Sequence, residues 1–66
     1  MKIIINGEEQ ELGSQLTIGE LLTELGLAPD RVVIELNREI LSVADALPRQ
    51  LNPADQLEII QFVGGG

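Results

Sequence analysis

The stretch Gln56-Leu57-Glu58-Ile59-Ile60-Gln61-Phe62-Val63, followed by Gly64-Gly65-Gly66, decides how the chain is read. Its first part is a β-like run, apolar on both faces, as expected of a strand in the centre of a sheet. Its second part has no side chains and spans at most roughly 10 Å when extended. Residues 1–63 are therefore expected to form one domain, and residues 64–66 a flexible glycine tail with one reactive group, the Gly66 carboxylate. Such a thin arm fits a narrow channel in another protein. The same three residues are equally compatible with a frayed terminus or an expression scar.

Working outward, the 66 residues allow one small domain, with stability resting on an efficient core. The sequence has no Cys and no His, which excludes a disulfide framework, a thiolate nucleophile, a Ser-His-Asp triad and a zinc site of the usual ligands. With 44% hydrophobic residues the chain is too apolar for disorder. No apolar run reaches the length of a membrane span and no signal peptide is recognised, so a soluble, cytoplasmic protein without membrane partners is expected. The net charge of −7, from 11 acidic and 4 basic residues, argues against nucleic-acid binding. It allows steering toward a basic partner surface, or merely solubility.

From the start, Met1 to Asn6 (MKIIIN) and Glu8 to Leu12 (EEQEL) flank Asn6-Gly7, the pair that favours a type I′ hairpin. The second strand is charged, as an edge strand should be. Glu8, Glu9 and Glu11 are read as solvated edge protection, with no metal bound. After the loop Gly13-Ser14-Gln15, Thr17 and Glu20 have capping-box spacing, and Leu16 and Leu21 staple spacing. Ile18, Leu21, Leu22 and Leu25 form one apolar stripe. Gly26 and Pro29 end a helix of about residues 18–25. Arg31 to Asn37 is a third strand, with Asn37 in a left-handed turn. Ile40-Leu41 is at most a brief fourth strand. Ser42 caps one turn ended by Pro48, and Asn52-Pro53-Ala54-Asp55 reads as a type I turn.

A helix after a hairpin must cross one sheet face to bury its leucines. The apolar last strand beside the first would run parallel to it. The expected fold is α+β: a β-grasp roll, with a mixed sheet and one main helix across one face. If Ile3, Ile5, Val32, Ile34, Leu57 and Ile59 face the helix, then Ile4, Val33, Ile60 and Phe62 lie on the open face. There they form a candidate partner interface. The alternatives are an alternation shifted by one residue, or loops that cover this face. No residues form a catalytic constellation, and Thr17 is accounted for by capping.

This pattern resembles the ubiquitin-like proteins, and within them the ThiS family of sulfur carriers. The resemblance rests on the Met-Lys-Ile-Ile-Ile-Asn-Gly opening, Thr17-Ile18-Gly19-Glu20-Leu21-Leu22, Leu36-Asn37-Arg38-Glu39-Ile40 and the ending Ile59 to Gly66. One departure is Pro53-Ala54-Asp55, where the family usually has Gly-Asp; it reads as a change of turn type. The resemblance implies a non-enzymatic carrier that needs no cofactor of its own. A ubiquitin-activating-like adenylyltransferase would adenylate Gly66, with Gly64 and Gly65 threading its channel. A sulfur donor, often a persulfide enzyme, would displace AMP to leave a thiocarboxylate. A thiazole synthase would then take that sulfur for thiamine biosynthesis. Gly65-Gly66 also occurs in molybdopterin sulfur carriers and in protein modifiers, so those alternatives stay open.

Overall fold

A computed structural model describes residues 1–13 and 15–62. The elements are β1 (Lys2–Ile5), β2 (Glu8–Glu11), α1 (Ile18–Leu25), a 3-10 turn (Pro29–Arg31), β3 (Val32–Leu36), β4 (Glu39–Leu41), α2 (Val43–Ala46) and β5 (Gln56–Gln61). They form one mixed sheet in the order β2-β1-β5-β3-β4. β1 and β5 are adjacent and parallel, Ile5 beside Leu57, and the other neighbours are antiparallel. The expected β-grasp roll is thus present, with β5 at the centre of the sheet.

Two turns of the same kind build the hairpins. Asn6 and Gly7 have φ of 51° and 83°, and Asn37 and Arg38 have 50° and 70°. Each pair joins its strands through a two-residue loop with positive φ at both positions, the type I′ requirement. Asn37 was expected to be left-handed. Arg38 was not, since a side chain makes that conformation costly.

The capping box of α1 is complete. The Glu20 amide donates to Thr17 Oγ1 at 3.1 Å, and the Thr17 amide donates to Glu20 Oε1 at 2.8 Å. The other amides of the first turn are also occupied. Ile18 donates to Arg49 O and Gly19 to Leu47 O, at 2.9 and 3.0 Å. All four orphan donors of the helix start therefore have partners. A Cβ at position 19 would lie 3.0 Å from Leu47 O, so glycine permits this close approach. At the other end Gly26 is left-handed, with φ 73°, and the Leu27 amide reaches Leu22 O at 2.9 Å, a Schellman closure.

The core lies between α1 and the sheet. Ile3, Ile5, Val32, Ile34, Leu36, Leu57 and Ile59 come from the strands, and Ile18, Leu21 and Leu22 from the helix, with Ala46 and Leu51 added from the segment after β4. The alternation expected for β1, β3 and β5 holds.

Three expectations need correction. Leu25 is 45% exposed. The Schellman turn folds Leu27 back onto the core instead. β3 starts at Val32, because Pro29–Arg31 form a 3-10 turn. The Asn52–Asp55 turn is not type I. Its closing bond is present, Asp55 N to Asn52 O at 3.1 Å, but Ala54 has φ 71°. That is the left-handed third position of a type II turn, which favours glycine. Alanine here adopts a backbone conformation that glycine takes more readily. Ser14 and residues 63–66 lie outside the described residues.

Candidate functional site

β5 is held from both sides by the asparagines of the two hairpin turns. β1 ends at Ile5, but the Asn6 side chain continues its ladder. Asn6 Oδ1 accepts from the Ile59 amide at 2.8 Å, and Nδ2 donates to Ile59 O at 3.3 Å. On the other side Asn37 Oδ1 accepts from the Gln56 amide at 2.9 Å, and Asn37 Nδ2 donates to Asp55 Oδ1 at 3.0 Å. Asp55, only 9% exposed, also accepts from the Asn52 amide at 2.7 Å through Oδ2. This carboxylate is retained because each oxygen has a donor. Asn6 and Asn37 thus do two jobs: each adopts a left-handed turn and each satisfies backbone groups of the central strand.

β5 is anchored as far as the structure describes it. The Phe62 amide donates to Arg31 O at 2.8 Å, one step beyond the strand's last assigned residue. The proposed threading residues Gly64 and Gly65, and Gly66 with the carboxylate, lie outside the described residues.

The four residues expected on the open face do lie opposite α1. Ile4 and Val33 are half-buried, and Ile60 and Phe62 are 59% and 51% exposed. Val33 sits directly across from Ile60, with Phe62 two residues further along β5. Ile4 is paired with Gln56 instead. It therefore stands four residues, about 13 Å, from Ile60 along the strand direction. There it lines a pocket with Lys2, Glu9, Pro53 and Ala54. The structure groups Val33, Ile60 and Phe62 and separates Ile4 from them.

Sequence reasoning missed Ile40, which is 70% exposed. It pairs with Glu35 across β3 and β4 and so joins the same face. The available signal was the parity of the 39–41 segment after a two-residue turn. Also on this face, Glu35 lies directly across from Glu58.

Among the described residues no group of three or more acidic side chains is placed to hold a metal ion, and no buried side-chain polar atom lacks a partner. A pocket lined by Glu11, Leu12, Gly13, Leu16, Glu20 and Glu24 is acidic. Two of its carboxylates are already engaged, Glu20 in the capping box and Glu11 with the Met1 ammonium at 3.1 Å. Among the described residues no helix is long and apolar enough to cross a membrane.

A five-stranded mixed sheet with one helix across it, a bare opposite face and a central strand leading toward terminal glycines defines a ubiquitin-like β-grasp protein. Within that class, the ThiS family model matches residues 3–66, and the chain belongs to the ThiS family. The structure is similar to the crystal structure of a thiamine biosynthesis protein (ThiS) from Geobacter metallireducens. That similarity has a TM-score of 0.83, 32% identity and full coverage of both chains. The sequence is 41% identical over 66 residues to a thiazole synthase of Paramagnetospirillum magneticum. It is 36% identical to the uncharacterised protein ycf40 of Pyropia yezoensis, covering 93% of that protein. All of this chain is matched in the thiazole synthase comparison, yet it spans only about a fifth of the length of that relative (20%).

Proposed function

We propose that this chain is a sulfur carrier of thiamine biosynthesis that works through the Gly66 carboxylate and carries no catalytic groups of its own. The reading is carried by the family match, which runs through residue 66 and so includes the glycine tail. The similarity to thiazole synthases favours the thiazole branch over molybdopterin assembly or protein modification.

The chemistry follows from the weakness of a carboxylate as an electrophile. A ubiquitin-activating-like adenylyltransferase brings Gly66 to the α-phosphate of ATP. A carboxylate oxygen attacks phosphorus and pyrophosphate leaves. A persulfide on the sulfur-donor enzyme attacks the acyl carbon and expels AMP, giving an acyl disulfide. A thiol then cleaves the S–S bond, leaving the thiocarboxylate on Gly66 and a new disulfide on the donor side. Thiazole synthase takes the sulfur, and the whole sequence belongs to the cytoplasm. Gly64 and Gly65 thread the channel, while Val33, Ile60 and Phe62 dock, with Ile4 at the margin.

The test is intact-mass analysis after incubation with the adenylating enzyme, ATP and a persulfide source. The wild type is expected to exchange one oxygen for sulfur. Gly65→Val is expected to lose thiolation while keeping the wild-type melting temperature. Misplacing the reacting atoms by about 1 Å costs roughly a hundredfold in rate, and a β-branched side chain stiffens and widens the arm. Thiolation of Gly65→Val at the wild-type rate would remove the threaded-tail mechanism. Covalent adducts with other proteins would favour a modifier.

A further inference from the structure

The open face carries a feature that folding does not account for. Glu35 on β3 and Glu58 on β5 are exact cross-strand partners. Their Cα atoms are therefore about 5.5 Å apart or less, and like charges in that position oppose pairing. Among the described residues the one ion pair joins the Met1 ammonium to Glu11, on the β2 edge, so neither carboxylate is compensated. The surround is apolar. Val33 and Ile60 form the next same-face rung, and Ile40 stands beside Glu35 on β4. Glu35 is itself half-buried.

We propose that this face receives an arginine of the adenylating enzyme between Glu35 and Glu58, with Val33, Ile40 and Ile60 closing around it. The inference rests on the sulfur-carrier reading. A guanidinium presents five donors in a planar fork, which suits two neighbouring carboxylates better than a lysine ammonium does. Removing water around the pair strengthens the attraction, and the apolar neighbours do that on docking. The occupant follows from chemistry as well. An enzyme that holds an ATP triphosphate against a second anion, the Gly66 carboxylate, must surround that meeting point with positive charge. β5 runs from Glu58 through Ile60 toward the tail, so this face belongs to the surface that docks as the tail enters the site. The chain's net charge of −7 steers the encounter.

The experiment is calorimetric titration of the full chain onto the adenylating enzyme, at low and high salt, with a thermal melt of each variant. Glu35→Gln with Glu58→Gln is expected to bind at least about tenfold more weakly, with a flatter salt dependence. Its melting temperature is expected to stay level or rise, because the repulsion is gone. A charge-matched control on the helix side, Glu24→Gln with Asp45→Asn, is expected to bind within about twofold of wild type, since exposed charges far from the contact count for little. Binding of the Glu35/Glu58 variant within that same range, or a lowered melting temperature, would overturn the inference and leave the sulfur-carrier reading standing. A wild-type chain that is bound but never adenylated would overturn that reading, and this inference with it.

Discussion

Ile59 and Ile60 are the same residue type, adjacent on the same strand, and have opposite fates. Ile59 is 8% exposed and packs beneath α1, while Ile60 is 59% exposed on a face that no described element covers. The pleat alone separates them. One face of the sheet stabilises the domain, and the other is available to a partner. A chain this small leaves few residues for both tasks, and β5 serves both by alternation.

The largest expected effect lies on the closed face. Ile59→Ala removes buried methyl groups and is expected to cost about 2–5 kcal/mol. That is a large share of the stability of a domain of this size, so urea titration is expected to show a strongly lowered midpoint or no folded baseline. Ile60→Ala, the matched substitution next door, is expected to move the midpoint by under about 0.5 kcal/mol. Similar losses at both positions would mean that the open face is covered.

Most of this contrast was legible in the sequence. Alternation in MKIIIN and RVVIELN, Asn6-Gly7 and the Thr17–Glu20 capping box each use a local rule that the tertiary structure obeys. What was not legible depended on distant partners. Ala46 and Leu51 are fully buried, but Ala46 lies in a helix of four residues and Leu51 in a loop, and neither segment is long enough for periodicity to mark it. Ile40 lies in a three-residue strand whose parity can be read only once the two-residue turn before it is recognised. Ala54 follows a proline in a sequence that suits a type I turn locally. Its left-handed backbone accompanies bonds from outside the turn: the Ala54 amide donates to Lys2 O at 2.8 Å, and Asp55 is tied to Asn37. As for the site, sequence parity identified its apolar residues but not the distance of Ile4 from the rest. That separation is a matter of β1–β5 register.

The Asn52–Asp55 turn delivers β5 in the register that sends Ile59 inward and Ile60 outward, and it does so at a cost. A left-handed alanine is disfavoured by about 1–2 kcal/mol relative to glycine, offset in part by the roughly 0.5–1 kcal/mol that glycine loses through its freer unfolded chain. Ala54→Gly is therefore expected to stabilise the domain by up to about 1 kcal/mol, read as a raised melting temperature. Destabilisation would show that the Ala54 side chain contributes packing that outweighs its backbone strain. Either sign sharpens the comparison, because the turn sets which face each β5 residue occupies.

The smallest effect on stability, and the most telling for function, is expected at Phe62. Its ring is the chain's lone aromatic, half exposed on the open face, and its backbone is tied by the bond to Arg31 O. Phe62→Asp keeps that backbone bond and places a carboxylate where water already reaches. The fold is expected to change by under about 0.5 kcal/mol, as for substitutions away from packed features. Buried, the same charge would cost several kcal/mol and threaten the whole domain. Circular dichroism melts separate these outcomes directly. On the proposed docking face, an aromatic next to the tail is the type of residue that dominates an interface. Loss of affinity for the adenylating enzyme at an unchanged melting temperature would tie the open face to docking. An unfolded Phe62→Asp variant would place the ring in the core and erase the distinction between the two faces. Unchanged melting with unchanged affinity would leave the open face intact but move the docking surface away from the end of β5.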